Sequence, residues 1–207
     1  MQLLSVCVVH RNRDQVPTDR GILSIFPRCV DSLCASLLVC AQQAELVVCE
    51  WPPAPPNRPL AAWLSRDSTI PVKIIRETRP FSRGLGRNVA AANAQGDWLM
   101  FLDADMLLIP KVIRRGVELL RQGKAFFPLY DRLSPDGQKR TPGIGTGNCF
   151  CTREQWREAG GFCQKTEWGG EDTAFWRWFV ERRLAVREPV EGFLHQWHPG
   201  GGPDHAG

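Results

Sequence analysis

Asp103 and Asp105 stand one residue apart where an apolar run stops. The run, Trp98-Leu99-Met100-Phe101-Leu102, is bounded by Gly96 before and Pro110 after. That length and those turn signals favour a strand buried on both faces over a helix. Neighbours i and i+2 point the same way in a strand. If the chain turns at Ala104, both carboxylates converge beyond the strand's C-terminal edge, where open α/β sheets bind their ligands. Two carboxylates aimed at one spot repel, and a divalent cation removes that cost. Hard oxygen donors suit Mg²⁺ or Mn²⁺. On its own the pair also reads as two solvated acids at a strand end.

Two further clusters carry chemistry. Trp168-Gly169-Gly170-Glu171-Asp172 precedes an aromatic-rich segment. The glycines let the backbone approach a ligand closely. One acid would serve as a helix N-cap. An indole, two glycines and two acids exceed that need: an indole stacks on a sugar ring, and a carboxylate binds a hydroxyl or takes its proton. The third cluster is His195-Gln196-Trp197-His198-Pro199. A histidine there can complete a metal site with the acids, or be a polar surface residue. A zinc site from His195, His198, Cys149 and Cys151 is disfavoured because C-x-C is a poor zinc spacing.

The elements that must position these groups follow from pattern. Strands are expected at Leu3 to Val9, Glu45 to Glu50, Pro71 to Arg76, Trp98 to Leu102, Ala125 to Tyr130 and Asn148 to Cys151. Helices are expected at Pro27 to Ala41, Val89 to Gln95, Lys111 to Gln122, Arg153 to Ala159 and Thr173 to Arg183. Short strands follow at Leu184 to Arg187 and Glu191 to Gln196, then a mobile Gly-rich tail from Pro199. Trp51 to Pro59, dense in proline, must be a rigid loop. Gly84 and Gly86 lack the third glycine of a dinucleotide fingerprint; with Arg83 and Arg87 they present a helix N-terminus that favours an anion. Alternating strand and helix predict an α/β fold with a mostly parallel central sheet flanked by helices. No linker interrupts the chain, so one domain is expected over 1–207, with functional halves at 1–106 and 107–207.

Composition narrows the classes. The 207 residues carry a net charge of +4, with 23% charged and 43% hydrophobic. That is ordinary for a globular protein and suits a polyanionic small substrate. Lysines and arginines are scattered, which argues against nucleic acid. No apolar run is long enough for a transmembrane segment, and peripheral membrane association is left open. Met1 to Val9 has no basic region ahead of it and reads as a strand, not a signal peptide. Eight cysteines without a C-x-x-C pair, mostly in apolar stretches, predict free buried thiols and a reducing, cytoplasmic location.

Taken together these segments resemble nucleotide-sugar glycosyltransferases of the GT-A fold, the broad family-2-like group. The C-terminal region is similar to β-1,4-galactosyltransferases and chondroitin-polymerase-like enzymes. The resemblance rests on Val8-Val9-His10-Arg11-Asn12-Arg13, Gly86-Arg87-Asn88, Phe101-Leu102-Asp103-Ala104-Asp105, the Gly-rich approach to Asn148, Gly160-Gly161-Phe162, Trp168 to Asp172 and the terminal histidines. It implies that Arg11 and Arg13 lie near the nucleotide, Glu50 near ribose or base, and Arg87 on the diphosphate side. Asp105 would bind Mn²⁺ or Mg²⁺, with Asp103 on ribose or metal and His198 or His195 as a further ligand. Asp172 would be the catalytic base, and Trp168, Gly170 and Glu171 would hold the acceptor sugar.

The implied reaction is transfer of a sugar from a nucleotide-diphosphate donor, a UDP-sugar by preference, to a glycan hydroxyl. A single displacement would invert the anomeric carbon. A catalytically silent nucleotide- or sugar-binding module on the same fold is the competing expectation. A phosphatase with an aspartyl nucleophile fits poorly, because its motif would sit at the first strand.

Overall fold

The protein is described by a computed structural model. It describes residues 2–19, 21–167 and 169–199. Trp168 and the glycine-rich tail from Gly200 lie outside the described residues.

The chain begins with β1 (Leu4–His10), a hairpin of β2 (Gln15–Thr18) and β3 (Gly21–Ser24), α1 (Phe26–Val39) and β4 (Ala44–Glu50). A 3₁₀ turn at Leu60–Ala62 and the short α2 (Leu64–Asp67) lead to β5 (Val72–Arg76) and α3 (Arg83–Asn93). Then come β6 (Trp98–Asp103), the two-residue β7 (Met106–Leu107), α4 (Pro110–Arg121), β8 (Ala125–Phe126) and β9 (Leu129–Leu133). The remainder is β10 (Arg140–Gly143), β11 (Cys149–Thr152), α5 (Arg153–Glu158), α6 (Thr173–Glu181), β12 (Ala185–Val186) and β13 (Pro189–His195).

Seven strands form the central sheet in the order β12-β8-β11-β6-β1-β4-β5. The pairs β6/β1, β1/β4, β4/β5 and β12/β8 are parallel, while β11 runs antiparallel to β6 and β8. This is the mainly parallel sheet the alternation predicts. Its two faces read directly from strand periodicity. Leu4, Val6, Val8, Leu46 and Val48 point into one core layer with α1 and α4 residues such as Leu33, Val112 and Ile113. Cys7, Val47, Cys49, Leu99 and Phe101 point into the other, with Leu85 and Ala90 of α3 and Phe175 and Phe179 of α6. Burying both faces explains why these strands lack a polar stripe.

The structure departs from the sequence expectations in three places. α3 begins at Arg83, not Val89, because Ser82 caps it by accepting from the Leu85 N–H. Gly84, Gly86 and Arg87 therefore lie inside the helix. The strand expected over Ala125 to Tyr130 is broken at Phe127-Pro128 into β8 and β9, which belong to different sheets. A proline cannot donate to a continuing ladder. The β2/β3 hairpin and β10 were not foreseen; each is four residues long with no clean alternation.

A second, four-stranded sheet has the order β10-β9-β13-β7, and its strand β7 follows β6 directly in the chain. β13 pairs antiparallel with β7, setting Leu194 opposite Leu107 and His195 opposite Met106. β13 thereby lies against Met106, the residue that follows Asp105.

Candidate active site

The turn after β6 parts the two aspartates. Asp103 ends the strand with a side chain 36% exposed, while the Asp105 carboxylate turns inward to 15%. Each then meets different partners.

Asp105 meets the two histidines. His198 Nε2 lies 3.1 Å and His195 Nε2 3.5 Å from Asp105 Oδ2. The ligand atoms of these three residues all fall within 4.8 Å of one another. Gln196 locks the arrangement: its N–H donates to the Asp105 carbonyl at 2.8 Å, and its buried amide donates to the Ile25 carbonyl at 3.0 Å. Burial works against the Asp105 charge, but hydrogen bonds from His195 and His198 outweigh it and hold the carboxyl well below its ordinary range. Burial likewise opposes charge on His195, and the bond to Asp105 overcomes it, raising the imidazole.

These residues fit a divalent cation. Asp105 Oδ1 is buried and accepts no hydrogen bond from the described residues. His198 Nδ1 lies 3.2 Å from the Pro199 carbonyl. A proton on that nitrogen would leave the Nε2 lone pair facing a carboxylate oxygen, an arrangement a cation or a proton must relieve. One carboxylate and two imidazoles form a mixed oxygen and nitrogen donor set, which suits a divalent transition-metal ion better than Mg²⁺, since Mg²⁺ prefers an all-oxygen shell. Asp103 is not part of this cluster.

Asp103 meets Arg87 and Asn148. Arg87 Nη2 donates to Asp103 Oδ1 at 2.7 Å. Asn148 Nδ2 donates to Oδ2 at 2.9 Å, and the Asp103 N–H returns a bond to Asn148 Oδ1 at 2.7 Å. Arg87 also donates through Nη1 to Glu171 Oε1 at 3.3 Å, which Arg83 Nε reaches at 2.9 Å. One guanidinium with a side chain 4% exposed thus joins the strand-end acid to the second acidic loop. Burial would depress its pKa, but the carboxylates of Asp103 and Glu171 more than offset this and raise it. A methyl at Gly147 would stand 2.3 Å from Arg87 Nη2, so a side chain there would push the guanidinium off its carboxylates.

Asp172 lies beside Glu171, at the N-cap position of α6. Its side chain makes no capping bond. Instead Asp172 Oδ2 accepts from the Thr146 N–H at 3.1 Å and the Thr146 hydroxyl at 2.6 Å. Capping therefore does not account for this acid. Gly169 and Gly170 both have left-handed backbones, φ +84° and +75°, which consecutive side-chain-bearing residues rarely adopt. The two glycines are required by the turn itself, and Gly170 is exposed.

The expected nucleotide residues divide. Arg11 is exposed, with its guanidinium 4.9 Å from the centre of the Phe81 ring; Arg13 is half-buried, and its carbonyl accepts from the Phe26 N–H. Both follow β1 at the C-terminal edge of the parallel strands. Glu50 ends β4 at the same edge but is 1% exposed. Its Oε1 accepts from the Leu60 N–H at 2.7 Å, so it fastens the proline-rich loop. Asn12 Oδ1 fastens the same loop by accepting from Ala54 N–H at 2.7 Å. Arg87 is turned to carboxylates on both sides. Trp168 lies outside the described residues.

Sequence reading missed Asn148, Thr146 and Gln196 as site-building residues. Asn148 and Gln196 lie within stretches singled out above for other reasons, and Thr146 is marked only by the glycines around it. The free cysteines are as expected: most are buried, and only Cys163 is exposed. Among the described residues, no helix is long and apolar enough to cross a membrane.

Comparison with known proteins agrees with this architecture. The family model "Glycosyl transferase family 2" matches residues 5–179. Mouse (Mus musculus) chondroitin sulfate N-acetylgalactosaminyltransferase 1 is 30% identical over 144 residues, 57% of this chain and 27% of that one. Among solved structures, S. aureus TarS 1-349 in complex with UDP superposes with a TM-score of 0.72 at 12% identity, covering 97% of this chain and 62% of that one. The mannosyltransferase PcManGT from Pyrobaculum calidifontis, in complex with GDP-Man and Mn²⁺, gives 0.68 at 17% identity, covering 96% and 58%. This chain is thus similar to about a quarter of the mouse protein and about three fifths of the solved chains. The fold is that of the GT-A glycosyltransferases.

Proposed function

The chain belongs to glycosyl transferase family 2, and from that premise we propose that it moves a sugar from a nucleoside-diphosphate donor to a glycan hydroxyl, inverting the anomeric carbon. The observation that carries the reading is the meeting of Asp105, His195 and His198 at one sheet edge, tied through Asp103 and Arg87 to the loop bearing Asp172. A UDP-sugar is the favoured donor, supported by TarS complexes with UDP and UDP-GlcNAc. The PcManGT complex with GDP-Man makes GDP-sugars the control.

Asp105, His195 and His198 would hold a divalent ion. Such an ion, when bound, supplies positive charge to the departing diphosphate. Arg11 and Arg13 lie toward the nucleotide. Glu50 shapes that end of the site by holding the proline-rich loop. Arg87 acts within the protein, fixing Asp103 and Glu171 so that donor and acceptor sides keep one spacing. Asp103 remains exposed enough to reach the donor ribose. Trp168, Gly170 and the turn held by Glu171 would face the acceptor sugar. Asp172 takes the proton of the acceptor hydroxyl as that oxygen attacks the anomeric carbon. The bond to the diphosphate breaks on the opposite face, and its electrons leave with the nucleotide. Residues 1–106 would supply most donor contacts and 107–207 the acceptor side, with the tail histidines as the exception.

Two variants test the reading. Asp105→Ala should abolish Mn²⁺-dependent binding of UDP in calorimetry. Asp172→Asn should keep that binding and lose transfer across a donor and acceptor panel. Retained transfer in Asp172→Asn removes it as the base. UDP binding with Mn²⁺ but no turnover by the unaltered chain favours a silent binding module.

A further inference from the structure

Thr146 reaches the acid of the second loop from the glycine-rich approach to β11. Its N–H and hydroxyl converge on one oxygen, Asp172 Oδ2, at 3.1 and 2.6 Å. Among the described residues, the hydrogen bonds to the Asp172 carboxylate both end on Oδ2, leaving Oδ1 open. An aspartate carboxylate otherwise turns freely, because its terminal torsion is broad. Two donors on the same oxygen stop that rotation and distinguish the two oxygens.

The donors are themselves fixed. A methyl at Gly143 would lie 2.1 Å from the Tyr130 ring, and one at Gly147 would lie 2.3 Å from Arg87 Nη2. Asn148, next in the chain, is locked to Asp103 in both directions. Tyr130 in turn stacks on His195, with ring centres 6.1 Å apart. The segment carrying Thr146 is therefore packed against Tyr130 and Arg87 while Thr146 grips Asp172.

We propose that Thr146 is the positioning residue of the general base, fixing Asp172 Oδ2 so that Oδ1 is the atom that takes the acceptor's proton. The proposal rests on the reading of Asp172 as base. As the acceptor oxygen bonds to the anomeric carbon, its proton passes to Oδ1. The anomeric bond to the diphosphate breaks, and the electron pair departs with it. A reacting group displaced by about 1 Å can lose as much as ~100-fold in rate.

The test uses the full chain with Mn²⁺. Thr146→Val removes the hydroxyl but keeps the N–H and the shape, and Thr146→Ser restores a hydroxyl. Thr146→Val should lower kcat by about 10- to 100-fold, with donor KM and the Kd for UDP unchanged. Thr146→Ser should recover most of kcat. A crystal structure of Thr146→Val supplies a readout independent of turnover: the Asp172 carboxylate should rotate out of its present plane. An unmoved carboxylate, an unaltered kcat, or a loss that serine does not restore overturns the proposal. Asp172→Asn run in parallel separates the two readings. If it still transfers, the base assignment fails and this proposal with it. If it is inactive while Thr146→Val turns over at full rate, only the role of Thr146 falls.

Discussion

Replacing Arg87 with methionine keeps the length of the side chain and deletes the charge that joins Asp103 to Glu171. Breaking a buried pair from one side costs about 3–5 kcal/mol, since the partner charge is left without compensation. Two features set the value here at the lower end. The Asp103 side chain is 36% exposed, so water screens its charge once the guanidinium has gone. Glu171, 7% exposed, keeps Arg83 at 2.9 Å. The expected loss is therefore about 3 kcal/mol, which for a chain of this size lowers Tm by ~6–12 °C. Urea unfolding followed by tryptophan fluorescence measures the loss directly. The double variant Arg87→Met/Glu171→Gln leaves no buried carboxylate facing the new methyl group. The cycle should show at least about 1 kcal/mol of coupling. A single-variant loss under 1 kcal/mol, or a strictly additive cycle, refutes the reasoning. If Arg87→Met weakens UDP binding while stability is unchanged, the guanidinium serves the diphosphate and not the two acids.

Three other outcomes follow from local features. The Glu77 carboxyl is held down to about 2 from its usual 4.5, by the Arg79 guanidinium first and then by the Arg79 N–H. Its folded value lies below the unfolded one, so its stabilisation is present above about pH 4.5 and is lost as pH falls toward 2. Glu77→Gln should flatten the acid limb of a Tm-against-pH curve over that window, and an unchanged limb removes the assignment. Burial pushes the thiols of Cys7, Cys29, Cys149 and Cys151 up, and that of Cys49 to about 12. A disulfide reagent should therefore titrate the exposed Cys163 quickly in the native protein and all eight thiols in urea; several fast thiols before unfolding contradict the burial. Gly84→Ala places a methyl 1.8 Å from the Cys163 carbonyl oxygen. Forcing that backbone apart should cost about 1–3 kcal/mol by urea unfolding, and a neutral result means the 161–164 segment yields freely.

The central sheet was legible because its strands are buried on both faces, and runs such as Trp98 to Leu102 cannot be polar. The long helices were legible from one-sided apolar spacing, as in α4. The start of α3 was misplaced because Arg83, Gly84 and Gly86 have the composition of a loop; only the Ser82 cap and the close packing of Gly84 on Cys163 make them helical. The pairing of acids and histidines could be anticipated from residue type. The division of labour between Asp103 and Asp105 could not, because it depends on a turn at Ala104 and on a buried arginine sixteen residues upstream. The contact between Thr146 and Asp172 spans 26 positions and depends on tertiary packing alone.

The pairing of β13 with β7 gives the site an order of assembly. A nascent chain that has emerged only through Val190 holds Asp105 but neither imidazole. The cluster of Asp105, His195 and His198 can therefore close only after β13 has docked on β7. Cleavage anywhere between β12 and β13 would remove that cluster while leaving the parallel strands β6, β1, β4 and β5 paired. If that cluster holds Mn²⁺ as proposed, affinity for the ion reports whether β13 is seated, a property a protease-protection experiment can follow in real time.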